Sequence, residues 1–183
     1  MGKRSSNERQ PQDWYRTPAK AVVPLLPFLP AATRFVEPCA GDGALIKHLA
    51  AHGHVCVEAY DAQPRADGIL IGDARDLEIT DGAMVITNPP WRWDWLEPII
   101  ECLSDQLPTW LLLNADVMHN VRAAGVMSYC CDVVAVGRVK WIEDSPHAGK
   151  ENAAWFRFQH RPCSTLFHHR QPAARAGNPA KGE

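Results

Sequence analysis

None of the six cysteines (Cys39, Cys56, Cys102, Cys130, Cys131 and Cys163) belongs to a Cys-x-x-Cys pair. Zinc ribbons and dithiol redox motifs need that spacing. Scattered cysteines in mostly apolar surroundings read instead as reduced, small hydrophobes of a cytoplasmic protein. No apolar run approaches the roughly 20 residues of a membrane helix. No apolar segment follows the charged residues of Met1-Gly2-Lys3-Arg4, so the start does not read as a signal peptide. Internal repeats are absent. Tandem His168-His169 has no carboxylate or cysteine at ligand spacing, so it reads as tail composition and no metal is expected.

What is present suits one domain with a full core: 183 residues, 46% hydrophobic and 22% charged. The net charge of −2 is unevenly spread. Lys3, Arg4, Arg9, Arg16 and Lys20 oppose only Glu8 and Asp13, and Arg157, Arg161, Arg170, Arg175 and Lys181 oppose only Glu183. Basic ends on an acidic body fit contact with a polyanion, although short basic tails also serve solubility.

The patterning predicts a polar, disordered, basic segment over 1–12, an α/β domain over 13–160 and a basic flexible tail over 161–183. Within the domain, a helix is expected over 19–26, with Thr17 as N-cap and Pro18 at the first helical position. Short apolar runs predict strands at 33–37, 55–60, 68–71, 83–87 and 109–113. Helices are expected at 44–52, from about 94 to 107, and at 117–129. Long strands at 132–142 and 152–159 are joined by a loop too short for a crossover helix, so they should pair antiparallel. Alternating strands and helices before them argue for a mainly parallel sheet.

In such sheets ligands bind outside the carboxyl ends of the strands, and four of these ends carry chemistry. The first is followed by Glu37-Pro38-Cys39-Ala40-Gly41-Asp42-Gly43, where glycines allow close backbone approach. The second ends at Asp61, able to accept from ribose hydroxyls. The third ends near Asp73, able to accept from an adenine amine. The fourth is followed by Asn88-Pro89-Pro90-Trp91. Its prolines stiffen the loop and hold the Asn88 amide extended. An amide beside an aromatic plate suits a planar heterocycle with an exocyclic amine; the plain alternative is a stiff turn with a core tryptophan. Acids at two strand ends suit an uncharged ribose and adenine and a nearby cation, hence a nucleoside cofactor without phosphates.

These motifs, in this order, resemble the class I S-adenosylmethionine-dependent methyltransferases. More narrowly they resemble small phage-type DNA adenine-N6 methyltransferases of the γ arrangement. The likeness runs from about Trp14 to His160. It includes Asp13-Trp14-Tyr15-Arg16-Thr17-Pro18, a segment those enzymes place over the methionine end of the cofactor, and the stretch from Ser145 to Trp155. The resemblance implies a Rossmann-like, mainly parallel seven-stranded sheet with an antiparallel C-terminal hairpin strand. It implies S-adenosylmethionine held by Thr17, Pro18, Glu37, Cys39, Ala40, Gly41, Gly43, Asp61, Asp73 and Asn88, and a catalytic Asn88-Pro89-Pro90-Trp91.

The implied substrate is DNA whose adenine is flipped out or already single-stranded. Its amine donates to Asn88 and the Pro89 carbonyl, and its ring stacks on Trp91. Trp93, His147 and Lys150 are further candidates for substrate contact. Core packing for Trp93, and a solvated hairpin loop for His147 and Lys150, are the competing readings. Trp95 is expected to be core. Nothing long enough remains for a separate recognition domain. Cytosine-N4 in DNA, adenine in RNA, a protein glutamine amide, and a non-catalytic DNA-binding module remain alternatives. The expected state is monomer or homodimer, in a bacterial or phage-infected cytoplasm.

Overall fold

The structure is a computed structural model that describes residues 14–142 and 149–170. Its frame is one eight-stranded sheet in the order β3-β2-β1-β4-β5-β7-β6-β8. The strands are β1 (Arg34–Glu37), β2 (Val55–Asp61), β3 (Leu70–Ile71), β4 (Met84–Thr87), β5 (Thr109–Asn114), β6 (Cys130–Arg138), β7 (Asn152–Phe158) and β8 (Leu166–His168). Strands β1 to β5 run parallel, and β7 lies antiparallel between β5 and β6. The chain leaves β1 toward β2 and β3, then returns to add β4 and β5 on the other side of β1. The seam between β1 and β4 is therefore where crossovers change direction and a crevice opens above the strand ends.

Side chains alternate across the sheet and supply two cores. Trp110 and Leu112 of β5 face one side, where α1 (Ala19–Val22) and α2 (Ala44–Ala50) bury Ala21, Val22, Leu45 and Leu49. Leu111 and Leu113 face the other, where α3 (Trp93–Gln106) and α4 (Ala124–Met127) bury Leu96, Ile100 and Val126. Pro98 is accommodated within the first turns of α3. A buried hydrogen bond of 2.8 Å from Trp155 Nε1 to the Ala21 carbonyl ties α1 to the sheet. Among the described residues, no helix is long and apolar enough to cross a membrane.

Several sequence expectations are corrected. The region 117–129 is not one helix. It forms 3-10 turns over Ala115–His119 and Val121–Ala123 before α4, because the Asn114 and Asn120 side chains each cap a turn by accepting from the amide two residues on. Thr17 does not cap α1. Pro18 occupies the cap position in extended geometry, without a side-chain cap, and the Thr17 hydroxyl is used by Asn88. The cysteines are not all reduced: Cys131 and Cys163 form a disulfide. The two come together because Leu166–His168, inside the stretch read as a tail, pairs with β6 as an eighth strand.

Candidate functional site

The loop after β1 is shaped by two glycines in the left-handed region, Gly41 at φ 55° and Gly43 at φ 73°. A Cβ on Gly41 would lie 2.5 Å from Trp14 Nε1, so the N-terminal segment closes onto this turn only because the residue is glycine. Arg65 lies over the Trp14 ring at 4.7 Å, and Arg16 pairs with Asp42 at 3.0 Å. Three amides at the turn are already used. Gly41 N–H donates to Asp61 Oδ2 at 2.7 Å, Gly43 N–H to the Ala40 carbonyl at 2.7 Å, and Ala44 N–H to Asp42 Oδ1 at 3.1 Å. With these amides spent within the fold and the Glu37, Asp42 and Asp61 carboxyls close together, the turn is a poor phosphate cradle.

Above this loop lies a cleft of about 900 Å³, solvent at its mouth included. Thr17, Glu37, Cys39, Ala40, Gly41, Asp61, Asp73 and Asn88 line it, as does Pro90. Ala62, Ala74, Trp95 and Ile99 contribute small or apolar surface to it. Pro18, Gly43, Pro89, Trp91, Trp93 and Lys150 are not among the lining residues. His147 falls outside the described residues.

Glu37, at the end of β1, is only 2% exposed. Burial, then the Asp61 and Asp42 charges, push its carboxyl well above the usual carboxylate range. Its Oε2 accepts no hydrogen bond from the described residues. A buried carboxyl oxygen left open beside a cleft fits a cationic group such as an ammonium. Burial, then the nearby Asp61 charge, likewise push the Cys39 thiol up, so it is an inert wall and not a nucleophile. Asp61 also accepts from the Gln63 amide at 2.7 Å. Asp73 accepts from the Arg75 amide at 3.0 Å and from Arg75 Nε at 2.8 Å, and forms a further contact with its Nη2. These hydrogen bonds hold the Asp73 carboxyl below its ordinary value.

At the end of β4, the Asn88 amide nitrogen donates to Thr17 Oγ1 at 3.1 Å and to the Tyr15 carbonyl at 3.4 Å. Trp91 turns away from the cleft. Its indole N–H donates to the Leu112 carbonyl at 3.0 Å, and its ring meets Trp141 edge-on at 5.4 Å. Tyr15 lies 6.3 Å from the same Trp141, so three aromatics stand together beside Asn88. Trp93 is half-buried, donates to Glu97 at 3.0 Å and packs on the core.

Sequence reasoning missed Trp95, Arg75, Arg65 and Trp141. Trp95 was expected in the core; it packs against Ile99 and also lines the cleft, with Arg92 4.9 Å and Arg75 5.6 Å above its ring. Only Arg75, two residues from Asp73, left a signal, because an aspartate commonly bonds the residue two further on.

No family model matches the sequence, and no curated protein matches it. Solved structures do. A candidate RNA methyltransferase of Pyrococcus horikoshii aligns over 81% of this chain and 87% of its own, at 15% identity and TM-score 0.56. A type I restriction-modification methyltransferase subunit of Streptococcus thermophilus aligns over 85% of this chain but 47% of its own, at 13% identity and TM-score 0.55. A dimethyladenosine transferase of Plasmodium falciparum aligns over 80% of this chain and 62% of its own, at 13% identity and TM-score 0.52. The fold is the Rossmann-like fold of class I methyltransferases.

Proposed function

We propose that this protein is an S-adenosylmethionine-dependent methyltransferase acting on the N6 amine of adenine in DNA. The observation that carries the proposal is the Asn88 carboxamide. Its nitrogen is held by two acceptors, and its oxygen is left to accept, on the wall of a cleft whose glycine turn is a poor phosphate cradle. The neighbouring folds support the cofactor class, and among them are a candidate RNA methyltransferase, a dimethyladenosine transferase and a type I restriction-modification methyltransferase subunit.

The lining residues fit the cofactor group by group. Glu37 Oε2 would take the ammonium of its methionine part, Asp61 the ribose hydroxyls, and the Ala62, Ala74, Trp95 and Ile99 surfaces the adenine ring. Asp73, steadied by Arg75, keeps lone pairs for the adenine amine. When bound, this cofactor supplies an electrophilic methyl group. The chain's own task is to hold the acceptor. Asn88 Oδ1 and the Pro89 carbonyl accept from the target amine, so the nitrogen lone pair can point at the methyl carbon. Of the neighbouring aromatics, Tyr15 lines the cleft and would face the base, while Trp91 is committed to the Leu112 carbonyl and to Trp141. With the cofactor supplying the methyl, Asn88 and Pro89 would hold the amine through the transfer, and the amine proton would leave to water. Rate comes from alignment, without a strong base. Monomer or homodimer would both be compatible with a cleft built by one chain.

The test is incubation with tritiated cofactor and separate pools of DNA and RNA, then nucleoside chromatography, beside calorimetry of cofactor binding. Label in N6-methyladenine from DNA is expected. Label in N4-methylcytosine or in RNA would move the substrate assignment. Binding without transfer would favour a DNA-binding module, and neither binding nor transfer would end the enzyme reading.

A further inference from the structure

A carboxamide has two faces that differ only in which atom is N and which is O, and a half-turn interchanges them. For Asn88 that choice decides whether the site accepts or repels an amine. The Tyr15 carbonyl can only accept, so the side of Asn88 facing it must be the NH₂ group, 3.4 Å away. Thr17 Oγ1 takes the second N–H at 3.1 Å. Both donors are thereby spent and the oxygen faces the other way. The opposite orientation would set NH₂ against the incoming amine, donor against donor.

Thr17 is well placed to enforce this. It is 5% exposed and belongs to a segment fixed at several points. Trp14 is seated on Gly41, Arg16 pairs with Asp42 at 3.0 Å, and Ala21 N–H donates to the Pro18 carbonyl at 2.9 Å. The contact spans 71 residues of sequence, so it joins the segment over the cofactor cleft to the loop that receives the base. We infer that Thr17 is a positioning residue: its hydroxyl sets the orientation of the Asn88 amide and so creates the amine acceptor. This rests on the methyl-transfer reading for its consequence, but the orientation itself is a property of the free protein.

Thr17→Val keeps the shape and removes the acceptor. At saturating cofactor it should lower kcat up to about tenfold, the effect of losing one such hydrogen bond, with KM for DNA unchanged; Thr17 also lines the cofactor cleft, so cofactor affinity is measured beside it. Thr17→Ser should restore most of kcat. The same variants are followed by NMR of the asparagine side-chain NH₂ groups, with Asn88→Asp identifying the pair that belongs to residue 88. In the wild type and Thr17→Ser these protons should exchange slowly. In Thr17→Val protection should fall about tenfold. Wild-type kcat or unchanged protection in Thr17→Val would overturn the inference. Should the wild type methylate no nucleic acid, the function reading fails, and the NH₂ exchange alone decides the role of Thr17.

Discussion

Two acidic residues on the same sheet, Glu37 at the end of β1 and Asp132 on β6, are both nearly buried, at 2% and 8% exposure, and fare oppositely. Burial raises the Glu37 carboxyl, two neighbouring carboxylates add to the effect, an Ile46 backbone hydrogen bond offsets it only in part, and one oxygen has no partner among the described residues. Burial also acts on Asp132, but the His168 and Arg157 hydrogen bonds outweigh it, and that carboxyl ends below its ordinary value. Arg157 Nε lies 2.6 Å from one oxygen of Asp132 and His168 Nε2 2.8 Å from the other. His168 packs on Phe28 at 4.5 Å, and the Cys131–Cys163 disulfide closes the same edge. One region has satisfied its own charge; the other holds a charge-bearing group open. Open groups in a buried place are costly and persist where a ligand completes them.

The largest effect should come from the closed region. Asp132→Asn breaks both pairs and leaves Arg157 facing a neutral amide. A fully buried pair broken from one side costs 3–5 kcal/mol. The Arg157 side chain is 32% exposed, so solvent screening reduces the expected loss to about 2 kcal/mol. Urea unfolding measures it. Cofactor affinity should not change; a parallel loss of affinity would mean that the two regions are coupled.

Glu37→Gln should do the reverse, with a smaller change in stability. Replacing a buried carboxyl, whose charged form burial disfavours, by a neutral amide should raise the stability of the ligand-free protein by about 1 kcal/mol. Losing the countercharge for an ammonium should weaken cofactor binding about tenfold, the worth of one charge-assisted hydrogen bond. A loss of stability in this variant would show that Glu37 is already satisfied, and the contrast with Asp132 would collapse.

The same contrast explains what the sequence could reveal. Glu37, Asp61, Asp73 and Asn88 were legible because each ends an apolar run, and strand ends point to one rim whatever the details of packing. The antiparallel pairing of β6 with β7 followed from a short connection. The closed edge was not legible. Leu166–His168 is three residues long in a proline- and arginine-containing stretch, and it becomes a strand through Asp132, Phe28 and Cys131, partners that no local pattern links to it. The Arg65–Trp14 pair is invisible for the same reason: the two meet across the fold, not along the chain. The broken helix at 115–127 was readable in part, since Asn114 and Asn120 are turn formers, but the apolar spacing between them concealed it.

The smallest expected effect is in pH dependence, and its sign separates the two carboxyls. Asp132 has a lowered value, so its stabilisation is present above the ordinary 3.8 and is lost as pH falls through its folded value. Glu37 has a raised value. The unfolded chain releases that proton near 4.5, while the folded chain keeps it to higher pH. Stability therefore falls as pH rises from 4.5 to the folded value of Glu37, and the advantage of Glu37→Gln over wild type grows through that window. The Asp132→Asn deficit shrinks only below 3.8. Binding should run the other way from stability. An ammonium beside Glu37 favours the charged carboxylate, so cofactor binding should release a fraction of a proton and strengthen as pH rises toward the raised value. Calorimetry in two buffers of different ionisation enthalpy reads that proton directly. Its persistence in Glu37→Gln would assign it to another group and remove Glu37 from the cofactor's charged end.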